Sequence, residues 1–153
     1  MALLPRLRRF ASGLARHPAY GDDLCQATIE RALSKRDQWE PGRRLDSWMM
    51  TMMRNIWIDE QRARQRRGET FVAEEAGLLV GGGGGQEELV ALGDIDRALR
   101  TLPDEQREAV LLVMVEGYSY KEAAGIVDCP VGTLNSRLVR GRDALLAKLG
   151  EAA

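Results

Sequence analysis

Five consecutive glycines, Gly81 to Gly85, stand near the middle of this 153-residue chain. Glycine has no side chain to restrict its backbone, so such a run holds neither a helix nor a strand and behaves as flexible chain. It is not a phosphate-binding loop, because Gln-Glu-Glu follows it where a P-loop needs Lys-Ser/Thr. Any fold must therefore build one unit before residues 68–88 and a second unit after them.

Charge divides the chain in a similar way. Residues 1–67 have a net charge of +6, residues 68–105 have −7, and residues 106–153 are neutral, against −1 for the whole chain. Salt screens charges beyond about 8–10 Å, so a phosphate would respond to the basic first part and not to the average. This asymmetry indicates separate pieces with different tasks.

Composition disfavours several classes of protein. No run of about 18 apolar residues is present that could span a membrane, and the first residues do not form a secretory signal. Cys25 and Cys129 are isolated, which argues against a disulfide framework and favours the reducing cytoplasm. His17 is the only histidine, and the residues around it form no metal-binding or catalytic motif with it. We therefore expect no enzymatic activity, no cofactor and no metal site.

Three helical stretches are predicted before the glycine run. The first has an apolar stripe with spacings of three and four, and its arginines Arg6, Arg8, Arg9 and Arg16 are expected to face water. A second helix is expected from Asp22 to about Lys35, because acidic residues favour a helix N-terminus. The third has a stripe from Leu45 to Ile56 whose phase slips after Asn55, so the helix bends there or a new one begins. The stripe of the first helix contains Leu3, Leu7, Phe10, Leu14 and His17.

Four helices are predicted after the glycine run. The first ends at Pro103, and Asp104 is expected to cap the second, which runs to Val115. A capping box formed by Ser119 and Glu122 opens a short third helix. Since no segment alternates with a period of two, the fold class is all-α, in two small helical domains. The long fourth helix has a predicted buried stripe at Val131, Leu134, Leu138, Leu145 and Leu149.

The last two helices have the pattern of a helix-turn-helix. A short helix with small residues at Ala123 and Ala124 precedes a tight turn and a longer helix with a polar face. That face can donate hydrogen bonds to base edges and phosphates. Taken alone, the pattern fits a DNA-reading helix and an ordinary solvated helix about equally. The polar side chains are Thr133, Ser136, Arg137 and Arg140.

Motifs on both sides of the glycine run resemble those of the extracytoplasmic-function (ECF) sigma factors of bacterial RNA polymerase. Three stretches before the glycine run resemble region 2 of that family: Asp22-Asp-Leu-Cys-Gln-Ala-Thr, Leu45-Asp-Ser-Trp-Met and Met53-Arg-Asn-Ile-Trp-Ile-Asp. Region 4 is similar to Leu102-Pro-Asp-Glu-Gln-Arg-Glu-Ala-Val-Leu-Leu, Gly117-Tyr-Ser-Tyr-Lys-Glu-Ala-Ala and Pro130-Val-Gly-Thr-Leu-Asn-Ser-Arg-Leu-Val-Arg-Gly-Arg. The stretches Gln38-Trp-Glu-Pro-Gly and Arg54-Asn-Ile-Trp further resemble the alphaproteobacterial general-stress type.

The resemblance implies region 2 at residues 1–67, an acidic linker at 68–88 and region 4 at 89–153. It implies a sigma factor that directs core RNA polymerase to promoters of stress-response genes. The implied partners are promoter DNA, the clamp of the largest polymerase subunit, the polymerase flap and an anti-sigma factor. The linker would thread into the basic cleft of the polymerase. The free protein is expected to be held by such an inhibitor or to be self-occluded, with its domains packed together.

The resemblance also implies three sets of binding residues. Promoter −35 DNA would be contacted by Lys121, Thr133, Ser136, Arg137, Arg140 and Arg142. The −10 element would be contacted by Arg54, Asn55, Trp57, Arg62, Arg64, Arg66 and Arg67. Core polymerase would be contacted by Asp22, Asp23, Gln26 and Glu30. Ala27 stands where the family usually has an acidic residue, and Glu30, one turn later, is the expected substitute.

Two questions stay open at this stage. Trp57 could stack on a flipped base of the −10 element or pack in the protein, whereas Trp48 lies in the core stripe. The function could also be that of a helix-turn-helix regulator, or of a sigma-like decoy that sequesters an anti-sigma factor. A regulator would need a receiver or ligand-binding domain, which residues 1–67 do not suggest. A decoy need not keep Arg54, Asn55, Arg137 and Arg140 together.

Overall fold

The computed structural model describes residues 3–68 and 86–152. Within these ranges all the regular structure is helical, which confirms the predicted all-α class. The helices are α1 (Leu3–Ala15), α2 (Pro18–Ser34), α3 (Leu45–Arg66), α4 (Gln86–Thr101), α5 (Asp104–Val110), α6 (Tyr120–Val127) and α7 (Val131–Ala152). A 3-10 turn, Arg36–Gln38, follows α2, and a π-helical turn, Leu111–Val115, continues α5.

The predicted linker lies mostly outside the described residues, and so does the glycine run at 81–85. Its last three positions, 86–88, are part of α4, which begins at Gln86. The helical part of the second unit therefore starts earlier than its predicted boundary at residue 89. In the described ranges, no helix combines the length and the apolar character that a bilayer crossing requires.

Helices α1, α2 and α3 pack on one another around a core of apolar side chains. Phe10, Met50 and Met53 are completely buried there. Gly21 lets α2 approach α1 closely, since a Cβ atom at this position would lie 2.7 Å from the Cα atom of Ser12. The apolar stripe predicted for α1 is confirmed at its first four members, Leu3, Leu7, Phe10 and Leu14.

The junction of α1 and α2 differs from the prediction. Helix α1 ends at Ala15, and Arg16 adopts a left-handed conformation with φ of 60°. His17 is not on the stripe of α1 but caps α2, where its Nδ1 atom accepts a hydrogen bond from the Ala19 N–H at 3.1 Å. Pro18 suits the first position of α2 because it has no N–H to leave unpaired. Helix α2 consequently begins four residues before Asp22.

Of the two alternatives for the phase slip in the third stretch, a bend or the start of a new helix, the second is wrong. Helix α3 runs without interruption through all 22 residues from Leu45 to Arg66. Helix α3 contacts α6 as well as α1 and α2. Trp57, which leaves the stripe, lines a cleft with Pro103 and Asp104 from the other unit.

Local contacts confirm the capping box of α6. The Ser119 hydroxyl accepts from the Glu122 N–H at 3.1 Å, and the Glu122 carboxylate accepts from the Ser119 N–H at 2.9 Å. Gly117 has φ of +78°, a left-handed conformation that stops the preceding helical segment. The prediction of a separate short helix at this place is therefore correct.

Two predictions for the second unit are wrong. Asp104 is not an N-cap but the first residue of α5, preceded by Pro103. Its carboxylate is used elsewhere, as an acceptor for two arginines. Val131, which the sequence predicts to lie in the buried stripe, is 45% exposed. Leu134 and Leu138, further along, are buried as predicted.

Candidate promoter- and polymerase-binding surfaces

The polar face of α7 lies opposite its buried leucines. Leu134 and Leu138 point into the core, while Ser136 and Arg140, one turn apart, are exposed. Thr133 and Arg137 flank them and are partly exposed. The structure therefore brings the four predicted side chains together on one surface of the second helix of a helix-turn-helix.

Arg140 is the cation on this face that is most available to an outside ligand. Its guanidinium makes no hydrogen bond or ion pair with the described residues. Arg137 lies 3.5 Å from Glu105 on α5, and both side chains reach solvent. Arg142 faces its own neighbour Asp143 at 3.6 Å. These surface pairs are weak enough to yield to a phosphate.

The remaining member of the −35 set, Lys121, is also accessible. Lys121 is exposed in the first turn of α6. The Ser136 hydroxyl is exposed but donates to the Gly132 carbonyl at 3.1 Å, so its free lone pairs face outward. Ala123 and Ala124 are buried where α6 crosses α7, as their small size predicted.

The predicted −10 set on α3 is divided. Four members are exposed, whereas Arg54 pairs with the second unit and Trp57 is buried beside a cleft that both units line. Arg54 donates from Nε to the Glu108 carboxylate at 3.1 Å, and its side chain is 15% exposed. Trp57 is 5% exposed. Of the two interpretations given for Trp57, stacking on a flipped base or packing in the protein, the structure shows packing. The exposed members are Asn55, Arg62, Arg66 and Arg67.

Arg64, the remaining member of the −10 set, is partly committed to the first unit. It lies 3.9 Å from Glu60 on the same helix, and its guanidinium sits 5.2 Å above the ring centre of Tyr20 on α2. It ties the end of α3 to the start of α2. Arg64 is thus a poorer candidate for a phosphate contact than its exposed neighbours.

The predicted polymerase-binding residues form an exposed face of α2. Asp22, Gln26 and Glu30 follow one another at four-residue spacing, and Gln26 donates to Glu30 at 3.3 Å. Asp23 is exposed beside them. Leu33, one turn further, is 62% exposed and adds an apolar edge to this acidic surface. The structure therefore places the four predicted residues together.

Unexpectedly, the two units are joined by a set of ion pairs around two carboxylates. We name it the Asp46–Glu116 cluster. Asp46, at the start of α3, accepts from Arg6 at 3.0 Å, from Arg44 at 2.8 Å and from the Tyr118 hydroxyl at 2.9 Å. Its members are Arg6, Arg9, Arg44, Asp46, Glu116, Tyr118 and Glu122.

Glu116 holds the other end of the cluster. Its side chain is completely buried and accepts from Arg9 at 2.7 Å and from Arg6 at 3.2 Å. Arg6 and Arg44 lie 5.1 and 5.3 Å from the ring centre of Tyr118, so cation–π attraction adds to the ion pairs. The π-helical turn precedes Glu116 directly, with the Glu116 N–H bonded to the Leu111 carbonyl at 2.8 Å.

The cluster shifts the pKa of the groups inside it. Burial would raise the pKa of Asp46, but hydrogen bonds from Tyr118, Arg44, the Ser47 backbone and Arg6 outweigh it and hold that pKa below its usual value. Burial, the hydrogen bond to Asp46 and the charge of that carboxylate raise the pKa of Tyr118 to about 12. Asp46 is therefore ionised and Tyr118 is neutral near pH 7.

A buried arginine forms a second bridge between the units. Arg107 of α5 is 1% exposed. It donates to the carbonyls of Gly13 at 2.8 Å and Leu14 at 3.1 Å in α1, and within its own unit to Leu102 at 2.9 Å and Asp104 at 2.8 Å. The Gly13 and Leu14 carbonyls lie in the last turn of α1, where no later N–H group of the helix can donate to them. The C-terminal end of a helix also carries a partial negative charge, which favours a cation. Arg107 thus caps α1 from the other unit.

The next residue of α5 completes this bridge. Glu108 is 4% exposed and pairs with Arg54 of α3. Burial raises the pKa of Glu108, and the charges of Arg54 and Arg107 oppose that rise. Arg16 adds a further link, since it donates to the Leu102 carbonyl at 3.1 Å and to Asp104 at 2.7 Å.

These bridges correct the expectation for the arginines of the first helix. Arg6, Arg9 and Arg16 do not simply face water, because each pairs with the second unit. Arg8 is exposed as expected. The partners are up to 110 positions apart along the chain, so no local pattern could reveal them. The one hint was the excess of arginine in a short amphipathic helix.

Comparisons with known proteins agree with this architecture. Family models match Sigma-70 region 2 at residues 1–67 and Sigma-70 region 4 at residues 92–145. The ECF RNA polymerase sigma factor EcfG of Rhodopseudomonas palustris is 39% identical over 149 residues, which cover 97% of this chain and 82% of that protein. SigC of Mycobacterium tuberculosis is 33% identical, over 82% of this chain and 68% of that protein.

A solved structure shows the same fold. The sigma factor RpoE of Bartonella quintana, crystallised with the anti-sigma factor NepR, matches with a TM-score of 0.85 and 34% identity, over 97% of this chain and 92% of that one. The chain is thus a sigma-70-type protein with regions 2 and 4. More specifically, it belongs to the ECF RNA polymerase sigma factors, which initiate transcription.

Replacing Asp46 by Asn tests the cluster. The ionised carboxylate should stabilise the protein above its ordinary pKa, and that stabilisation should be lost as the pH falls through the lowered pKa. We expect Asp46→Asn to reduce the free energy of unfolding by about 1–3 kcal/mol at pH 7. The difference from the unmodified protein should shrink as the pH drops below about 4. Urea denaturation at several pH values measures it.

Asp37→Asn is the matched control, because Asp37 is exposed and belongs to no ion pair among the described residues. It should leave the unfolding free energy nearly unchanged at pH 7. An Asp46→Asn deficit that is the same at pH 3 and pH 7 would show that the charge of Asp46 does not matter.

Proposed function

We propose that this ECF sigma factor directs core RNA polymerase to the promoters of stress-response genes, as a member of the general-stress type. The similarity to EcfG over nearly the whole chain supports this assignment, together with the general-stress-like stretches at 38–42 and 54–57. It would act by binding and positioning, with no catalytic residue of its own, and in the cytoplasm, where the polymerase works.

Helix α7 is assigned to the −35 element. The observation that carries the assignment is the exposed Arg140, which has no ion-pair partner in the described parts of the chain and lies beside Ser136 on the face opposite the buried leucines. Arginine binds guanine edges in the major groove with two hydrogen bonds, and serine and threonine can pair with several bases. Thr133 and Arg137 extend the face, while Lys121 and Arg142 would hold phosphates at its margins.

Helix α3 is assigned to the −10 element. Asn55 is exposed and can read the edge of an extruded base, and the exposed arginines after it can hold the phosphates of the melted strand. Arg54 and Trp57 belong to the same surface only when region 4 does not cover them. In that state Trp57 offers a stacking platform. The supporting arginines are the exposed Arg62, Arg66 and Arg67, with the partly buried Arg64 as a weaker member.

The acidic face of α2 is assigned to the clamp of the largest polymerase subunit. Asp22, Asp23, Gln26 and Glu30 are exposed there, and Leu33 supplies an apolar contact. Glu30 stands in for the acidic residue that the family usually has at position 27. Region 4 would reach the flap, and the acidic residues between 68 and 88 suit a basic cleft of the polymerase.

An anti-sigma factor is the proposed inhibitor. The support is the Bartonella quintana sigma factor, which was crystallised with the anti-sigma factor NepR and resembles this chain over nearly its whole length. A sigma-like decoy is the alternative function, and it would bind such an inhibitor without initiating transcription.

Run-off transcription with purified core polymerase on a set of stress promoters tests the −35 assignment. The unmodified protein should give promoter-specific transcripts. Arg140→Ala should weaken promoter binding about tenfold, since a good arginine–base contact contributes about 1–3 kcal/mol. The matched control is Lys148→Ala, which removes an exposed cation from the last turns of the same helix. Normal transcription by Arg140→Ala would refute the assignment, and no transcription by the unmodified protein would favour the decoy.

Open-complex formation tests the −10 assignment separately. Asn55→Ala should reduce the fraction of open complexes, detected by permanganate footprinting, while closed promoter binding persists. The control Gln65→Ala removes another exposed amide from the same helix. Equal footprints for the two variants would show that Asn55 reads no base.

A further inference from the structure

The exposed surface of α7 extends beyond the side chains already assigned to the −35 element. Each residue advances about 100° around a helix, so the assigned Arg137 and Arg140 lie on one side of Ser136. The other side carries Asn135, which is exposed, and Val139, which is partly exposed. Because Val139 follows Asn135 by four positions, the two side chains are neighbours on the helix surface.

The fold does not account for an asparagine at position 135. Its side chain makes no hydrogen bond or ion pair with any part of the chain that the structure describes. Asparagine is also a poor helix former, because its side chain competes with the backbone for hydrogen bonds. Helix α7 contributes Leu134 and Leu138 to the core instead. The amide of Asn135 is therefore available to an outside ligand.

The start of α7 is open on the side of Asn135. Gly132, three positions earlier, is exposed, and apart from the backbone of its own helix a Cβ atom there would meet no described atom within 4 Å. A ligand as bulky as a DNA duplex can therefore come close to the helix backbone at this place. In a helix-turn-helix, residues near the N-terminus of the second helix contact base edges in the major groove.

We propose that Asn135 and Val139 together read one A·T base pair of the −35 element, and this inference rests on the proposed −35 role of α7. The asparagine amide matches the major-groove edge of adenine, where it donates to N7 and accepts from the N6 amino group. The thymine of the same pair presents its methyl group in that groove, where the methyl groups of Val139 can contact it.

The two sides of α7 then prefer different bases. Guanine presents two acceptors at its major-groove edge, which suit the donors of Arg140 but leave the amide oxygen of Asn135 without a donor. Ser136, between them, can pair with several bases. The −35 element of this protein therefore contains an A·T pair selected by Asn135 beside the pairs that the arginines contact.

Selection from duplex DNA of random sequence tests this preference. The full chain is bound to purified core polymerase, and sequencing of the retained DNA gives the base frequencies at each position. The unmodified protein should enrich a motif with a strongly preferred adenine. Asn135→Ala should reduce that preference about tenfold at this one position. The control Lys148→Ala removes an exposed side chain from the last turns of the same helix and should leave the motif unchanged.

Asn135→Arg provides a second test, in which a preference is gained. Arginine binds the two acceptors of guanine, so the preferred base at the same position should change from adenine to guanine. A purely structural role of Asn135 would lower the affinity for all sequences alike and would produce no such change. Val139→Ala should reduce the advantage of thymine over uracil in the same pair. Circular dichroism verifies that the variants, all at surface positions, are folded.

The outcomes separate this inference from the −35 assignment. If Arg140→Ala alters the motif but folded Asn135→Ala does not, α7 reads DNA without Asn135 and the inference is wrong. If neither variant alters the motif, or the unmodified protein enriches none, the −35 assignment fails and the inference fails with it. Loss of the adenine in Asn135→Ala, together with guanine in its place in Asn135→Arg, supports the inference.

Discussion

The relative position of the two domains depends on the burial of charge, above all on Arg107. Its guanidinium satisfies the last carbonyls of α1 and belongs to a helix of the other domain. Burial lowers the pKa of Arg107, because desolvation disfavours the charged form. Because removing one partner of a buried pair costs several kcal/mol, this contact fixes geometry more strictly than apolar packing would.

The Asp46–Glu116 cluster extends the same principle to the other end of the interface. Its carboxylates are shared, so that Arg6 bridges both and Arg44 reaches from Asp46 to Glu122. An isolated surface pair contributes little, but here Glu116 is completely buried and each added partner is already held by its neighbours. Ion pairs and hydrogen bonds to buried charges therefore lie at both ends of the interface between the two domains.

Much of the fold could be predicted from the sequence because it rests on local patterns. The stripe of α1, the capping box at Ser119 and the polar face of α7 all follow from residues that lie a few positions apart. Contacts between residues that are far apart along the chain could not be predicted from such local patterns. The surroundings of Trp57 stayed open because part of its cleft belongs to the other domain, and Arg54 was assigned to DNA without its ion-pair partner Glu108. The −35 face needed no distant partner, and its placement followed the periodicity.

Differential scanning calorimetry of the free full chain tests the central claim most directly, namely that buried charge joins regions 2 and 4 into one unit. Domains that unfold together give a single transition whose calorimetric enthalpy equals its van 't Hoff enthalpy. We expect this result for the unmodified protein near pH 7. Two resolved transitions, or a calorimetric enthalpy about twice the van 't Hoff value, would mean that the domains unfold independently and would contradict the account.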